Sequence, residues 1–333
     1  MRCAHYGLRR TCGPKRKTTI SRQNVRRADV VLDVPRIIRA ATINLVARYA
    51  NPLYLYLTSQ TGRARDRRSQ ETPGDVIEYF HSCFKDYFVT LDVAPTDIAD
   101  FLKGKRLLEY GPGDLPGTSL LMFAYGAEQV ICVDRFPLLT LSEKNIRVLE
   151  QMVAELPSGI RHRAMTAFVQ HGNPASGFNP DKIGYVAGSG LSGISGCVDL
   201  IYSRSVLEHV VSLEDIFRDM RQALHKDGLC VHKVDLGSHG LHKLNPLDFL
   251  CWPTWLWHAM QGHKGGPNRH RINVYREILQ RTGFTNWHVE PTGLFTAEEI
   301  SQVRGCLDLE FQSIDDNDLS WKGFWLVQRG GTA

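Results

Sequence analysis

The stretch from Lys105 to Phe136, KRLLEYGPGDLPGTSLLMFAYGAEQVICVDRF, constrains the fold more than any other part of the chain. Arg106, Leu107 and Leu108 enter a short apolar run that ends in Glu109. Gly111-Pro112-Gly113 follows and suits neither a helix nor a strand interior. Thr118 to Tyr125 is compatible with helix, and Gly126 stops it. Val130-Ile131-Cys132-Val133 reads as a second buried strand, closed by Asp134. A short turn between parallel strands joined by a helix aims backbone N–H groups at a ligand. An acidic residue at the tip of the next strand is placed to accept both hydroxyls of a ribose. The unit therefore binds a nucleoside-like cofactor.

A nicotinamide site prefers G-x-G-x-x-G, in which the third glycine allows close helix packing. Here Gly111 and Gly113 are followed by Leu115-Pro116-Gly117, and that spacing fails. What stands instead is Leu-Glu-x-Gly-x-Gly, with Asp134 after the second strand. This resembles motif I and the acidic motif II loop of class I S-adenosylmethionine-dependent methyltransferases. The resemblance implies an α/β fold, a doubly wound, seven-stranded, mostly parallel sheet, with S-adenosyl-L-methionine as cofactor. It also implies that Gly111, Pro112 and Gly113 let the cofactor lie close to the backbone. Glu109 would help hold the amino-acid end, and Asp134 the ribose.

Further segments extend the resemblance. Val198-Asp199-Leu200-Ile201-Tyr202-Ser203 is a buried strand, continued by Arg204-Ser205-Val206-Leu207-Glu208-His209-Val210. This looks like the family's fourth-strand motif, a D-L-I-x-S run leading into V-L-E-H. It implies that Ser203 and Glu208 border the cofactor, with Glu208-His209 at its methionine end. Ser212 to Asp215 resembles a capping box, and Leu213, Ile216, Phe217, Met220 and Leu224 recur on one helical face. Lys226-Asp227-Gly228 then turns the chain into a fifth strand, Leu229–Asp235. Ile183–Val186 is the best candidate for the third strand. Ser189 and its neighbours, in a glycine- and serine-rich loop, would meet the adenine. Trp287-His288-Val289 and Phe324–Val327 would close the sheet as sixth and seventh strands, the last antiparallel; a dehydrogenase more often ends in a parallel strand.

Two regions lie outside this alternation. Residues 1–74 are expected to form a basic tail and an N-terminal helical extension, and 75–333 the methyltransferase domain. In that domain Asp75–Asp92 has Val76, Ile77, Phe80, Phe84, Tyr87 and Phe88 at helical spacing, a helix leading into the sheet. Residues 236–268 form an insertion after the fifth strand, over the strand ends where ligands bind. Its Phe249, Trp252, Trp255 and Trp257 suit either a small hydrophobic subcore or a substrate lid.

For the chemistry, Asp235 and His239 stand at the end of the fifth strand and are the candidate catalytic residues. His239 is a candidate general base. The pattern His232-x-x-Asp235-x-x-x-His239 also contains ordinary metal ligands. In a continuing strand, however, His232 and Asp235 fall on opposite faces, so no metal is expected. Asn268, Arg269 and Arg271 open the following helix and suit a carboxylate or phosphate on the substrate. The acceptor expected is a small or sugar-containing molecule methylated at oxygen. Nucleic acid is not expected, because Ser203-Arg204-Ser205-Val206 stands where a base N-methylating enzyme of DNA carries N-P-P-Y. A nicotinamide-dependent oxidoreductase and a non-catalytic protein retaining the fold are the alternatives.

Charge and cysteine usage bound the setting. The net charge is +5, yet the first thirty residues carry nine cations against Asp29 alone. The remainder is slightly acidic. Eight cysteines are scattered without a C-x-x-C pair, which fits a reducing cytoplasm. Cys132 and Cys230 read as small core residues. No apolar run reaches the roughly 18 residues of a spanning helix. The apolar stretch 30–57, punctuated by Arg36, Arg39 and Arg48, is expected either to pack over the core or to touch a membrane surface.

Overall fold

The computed structural model describes residues 34–50, 52–54, 56, 71–188, 190, 191, 193–242, 244–284 and 286–329. The basic tail, most of the linker and Ser189 lie outside them.

A seven-stranded sheet forms the centre, in the spatial order β5-β2-β1-β6-β7-β9-β8. Its strands are β1 (Arg106–Tyr110), β2 (Gln129–Asp134), β5 (Ile183–Ala187), β6 (Val198–Arg204), β7 (Leu224–Asp235), β8 (Asn286–Leu294) and β9 (Trp321–Arg329). The strands from β5 to β7 pair in parallel, whereas β9 runs antiparallel to both β7 and β8. The third strand and the antiparallel closure therefore stand where the sequence places them. Parallel strands covered on both faces must be apolar throughout. Leu107, Leu108, Val130, Cys132, Leu200, Ile201, Cys230 and Val231 are accordingly buried.

Helices wind on both sides. One core joins the sheet to α2 (Pro73–Thr90), α4 (Gly117–Ala124) and α5 (Glu143–Glu155). The opposite core joins it to α7 (Leu213–Ala223) and α9 (Ile272–Arg281). Between α2 and β1 lies the short α3 (Ile98–Leu102). The expected entry helix is α2, opened by a Thr72/Asp75 capping box that pairs two of its unsatisfied N–H groups.

Two local expectations are corrected. Lys226-Asp227-Gly228 does not interrupt the chain before the fifth strand; β7 runs through it from Leu224. The register steps from Val198↔Leu224 to Leu200↔Leu229, so the extra residues bulge while both flanks stay paired. A small antiparallel pair not foreseen, β3 (Phe168–Gln170) and β4 (Asn173–Phe178), precedes β5.

The insertion folds as its own apolar cluster. Phe249, Trp252 and Trp257 pack with Phe295, Ile300, Val303 and Phe311 from the segment between β8 and β9. Trp255 remains exposed. The first helix, α1 (Val34–Tyr49), lies on the insertion's helix α8 (Thr254–Gln261). Asn44 clamps it there: Nδ2 donates to the carbonyls of His258 and Ala259, and Oδ1 accepts from the amides of His263 and Lys264. The outer face of α1 leaves Ile38, Leu45 and Tyr49 exposed. Among the described residues no helix is long and apolar enough to cross a membrane.

Candidate functional site

The C-terminal ends of β1, β2, β6 and β7 lie side by side along one edge of the sheet. After β1 the chain turns through Gly111 and Gly113, at φ 78° and 75°. Both lie in the left-handed region that a side chain adopts only with strain. Gly111 has a second reason to be glycine, since a Cβ there would sit 2.4 Å from a methyl of Val206. At Gly113 a Cβ would meet nothing within 4 Å, so this edge of the turn is open. Asp134, at the tip of β2, closes the turn: its carboxylate accepts from the amides of Gly113 (3.1 Å) and Phe136 (3.0 Å).

Gly117 takes up the packing role that G-x-G-x-x-G gives to its third glycine. A Cβ at this position would lie 2.4–2.6 Å from the Phe80 ring, so α4 approaches α2 only because the side chain is absent. Tyr185 on β5 is a supporting residue that no motif marks. Its hydroxyl lies 3.1 Å from the carbonyl of Gly113 and 3.2 Å from that of Phe136.

Glu109 is turned inward from the end of β1. Its carboxylate accepts from the Ser119 hydroxyl and, at 3.4 Å, from Tyr202. Burial pushes its pKa up to about 7, against the lowering effect of those hydrogen bonds. Ser203 is also interior: its hydroxyl meets Nδ1 of His232 on the neighbouring strand at 2.8 Å. Burial drives His232 down to about pKa 3, which keeps it neutral.

Past β6 the chain makes a single 3₁₀ turn, Leu207–His209. Glu208 within it is 2% exposed, and neither carboxylate oxygen has a hydrogen-bond partner. Burial raises its pKa well above the usual carboxylate range, against the lowering effect of nearby backbone N–H groups and with a smaller contribution from the charge of Asp235. Past β7, His239 adopts φ 51° and turns its Nε2 to 3.4 Å from Asp235 and 3.9 Å from Glu208. Its ring also stands edge-on to His209, with centroids 4.8 Å apart. The hydrogen bond from His239 and the Gly237 amide hold Asp235 below its ordinary pKa. The structure thus gathers Asp235 and His239 with Glu208 and His209. His232, bound to Ser203, takes no part, and H-x-x-D-x-x-x-H does not converge as a set.

The residues expected to bind substrate are placed otherwise. Arg271 is fully buried and donates to the carbonyls of Leu236 (2.7 Å), Leu319 (3.2 Å) and Trp321. Arg269 is buried between the rings of Trp257 and Phe311 and donates to the carbonyls of Phe249 and Trp252 and to Thr254. The Arg269 guanidinium is committed to acceptors inside the insertion, and that of Arg271 ties Leu236 to the chain at Leu319 and Trp321. Asn268 likewise ties that segment to the 3₁₀ turn: its backbone N–H donates to the main-chain carbonyl of Glu208, and Nδ2 donates to the carbonyl of Leu207.

Comparison with known proteins accords with this geometry. A family model described as a methyltransferase domain matches residues 86–289, more than half of the chain. The chain belongs to that family of class I S-adenosylmethionine-dependent methyltransferases, and S-adenosylmethionine is its cofactor. Among curated proteins none matches the sequence. Solved structures with a similar fold include an S-adenosylmethionine-dependent methyltransferase from Mesorhizobium loti. It is 18% identical, with 68% of this chain and 92% of that one covered, at a TM-score of 0.38. Phosphoethanolamine N-methyltransferase 2 from Haemonchus contortus, in complex with S-adenosyl-L-methionine, is 14% identical, with 80% of this chain and 59% of that one covered, at 0.41. The CurJ carbon methyltransferase is 15% identical, with 69% of this chain and 50% of that one covered, at 0.36.

The residues fit the cofactor. The glycine turn leaves space at Gly113, and Asp134 stands beside it at the tip of β2. Two buried carboxyls, Glu109 and Glu208, stand at the ends of β1 and β6.

Proposed function

We propose that the chain transfers the methyl group of S-adenosylmethionine to an oxygen of a small, hydroxylated or sugar-containing acceptor. One observation supports this above others: His239 stands beside Asp235 and Glu208, just past a loop whose Val206 packs on the cofactor turn. The sulfonium is already activated, so the protein contributes mainly alignment, worth up to about 7–11 kcal/mol in ideal cases. A hydroxyl acceptor must also lose a proton, and a positioned base adds about a hundred- to ten-thousand-fold. In this reading His239 takes that proton and Asp235 stabilises the imidazolium that results. Asp134 accepts the ribose hydroxyls, Gly111 to Gly113 line the cofactor, and Glu109 and Glu208 neutralise its methionine end. The insertion, 236–268, covers the acceptor.

We assign the protein to the cytoplasm on its cysteine usage: Cys83, Cys132 and Cys230 are core residues. The exposed apolar face of α1, with Arg39 and Arg48 on the same helix, supports peripheral contact with an anionic membrane. The test of the reaction is incubation with methyl-labelled S-adenosylmethionine and a panel of hydroxylated and carboxylated metabolites, with the labelled product located by NMR. An O-methyl product, lost at least about a hundredfold in His239→Ala, is expected. A product methylated at nitrogen or carbon would sink the oxygen reading, and no turnover with any acceptor would favour a non-catalytic protein.

A further inference from the structure

Glu208, His209 and His239 bring three metal-ligating side chains together at the ends of β6 and β7. Glu208 is nearly inaccessible, yet neither of its oxygens is hydrogen-bonded. A buried carboxylate is normally paired with donors or a cation. What surrounds it is two imidazoles and a second carboxylate. One ligand atom from each of Glu208, His209 and His239 lies within 4.8 Å of the others. Asp235 stands at the edge, 3.4 Å from the His239 ring nitrogen.

We propose that Glu208, His209 and His239 form a seat for one divalent first-row transition-metal ion, with Asp235 beside it. Two imidazoles and one carboxylate make a ligand set of intermediate softness, suited to such ions rather than to magnesium or calcium. Three protein ligands leave a coordination position open, as catalytic sites do and closed structural sites do not. Metal–ligand distances of about 2.0–2.2 Å require the three atoms to draw together. The mobile partner is His239, which is partly exposed on the loop after β7, whereas Glu208 is pinned through its backbone by Asn268.

For its chemical consequence the inference rests on the oxygen-acceptor reading. An acceptor hydroxyl that took the remaining coordination position would become more acidic. A cation on His239 takes the imidazole out of proton transfer, and Asp235 then receives the proton. The existence of the seat, by contrast, is tested with neither cofactor nor acceptor.

The experiment uses the full, untagged chain, stripped with EDTA and desalted. It is titrated with Co²⁺ alone while visible absorption is followed. One saturable equivalent with d–d bands is expected. Glu208→Gln and His239→Ala should each weaken binding by about tenfold or more, while His288→Ala, an exposed histidine remote in sequence, should not. Thermal melts supply a second readout: Co²⁺ should raise the midpoint of the wild type and not that of Glu208→Gln. Absence of saturable binding, or equal binding in both variants, would overturn the proposal. So would a Glu208→Gln variant that loses S-adenosylmethionine affinity in EDTA while the wild type takes no Co²⁺, since the cofactor would then be the missing cation. S-adenosylmethionine binding without Co²⁺ binding leaves the methyl-transfer reading standing and removes only the metal; the reverse result removes the methyl-transfer reading and keeps the seat.

Discussion

Replacing Gly111 by alanine should impose two separable penalties. The first is conformational: φ is 78°, and alanine in the left-handed region costs about 1–2 kcal/mol. The second is steric. The new Cβ would lie 2.4 and 2.9 Å from the two methyls of Val206, and overpacking of this kind costs about 1–3 kcal/mol. Gly111→Ala should therefore destabilise the protein by about 2–5 kcal/mol. Val206→Ala alone should cost about 1.5 kcal/mol, for two methyl groups lost from a partly buried site. In the double variant the clash disappears and the φ penalty remains. The two changes should then fail to add, with a coupling of about 1–3 kcal/mol in favour of the double variant. Urea unfolding of the four proteins measures this directly. S-adenosylmethionine titrations of the same set should show affinity lost in Gly111→Ala and partly restored in the double variant, since the turn moves away from Val206 in the first and returns in the second. Strict additivity in stability would refute the contact between the β6 loop and the cofactor turn, and with it the placing of both clusters side by side.

Three further outcomes follow from the same geometry. Asp134→Ala should weaken S-adenosylmethionine binding by about tenfold or more while circular dichroism stays unchanged, since a charged hydrogen-bond acceptor is removed from ligand and turn alike; unchanged affinity would take Asp134 out of the site. Glu109 has a folded pKa of about 7, above its unfolded value, so the native state binds more protons between roughly pH 4.5 and 7. Stability should therefore fall as pH rises through that window, by about 3 kcal/mol in all, and Glu109→Gln should flatten the slope; parallel slopes in urea titrations at pH 5 and pH 7.5 would contradict this. Arg271→Ala, which strips donors from three carbonyls, should lower stability by about 3 kcal/mol or more. A variant of normal stability with a raised acceptor KM would return Arg271 to the substrate.

What the sequence reveals of this architecture follows the range of the interactions involved. The glycine turn and Asp134 are legible because one short segment contains both the unusual backbone and the residue that closes it. The antiparallel last strand is legible because it carries the apolar run Phe324 to Val327, and the third, at the sheet edge, because of the shorter run Ile183 to Val186. The β3–β4 pair is not, because Val169-Gln170-His171-Gly172-Asn173 shows no alternation, and its pairing rests largely on Phe168 stacking on Phe178. Arg269 and Arg271 read as ligands of an anion because helix N-termini are commonly exposed. Their actual partners, the carbonyls of Phe249, Leu236 and Trp321, come from other segments and bury them. Asp235 and His239 are four residues apart at the end of one strand, close enough for the sequence to pair them. That Glu208 and His209 join them depends on the pairing of β6 with β7, which no local pattern carries.

Whether the turn at Gly111 and Gly113, with Asp134, holds S-adenosylmethionine is decided by calorimetry of the purified protein with S-adenosylmethionine and S-adenosylhomocysteine. Saturable, one-to-one binding of both at micromolar concentration is expected. Failure of a folded sample to bind either one would contradict it.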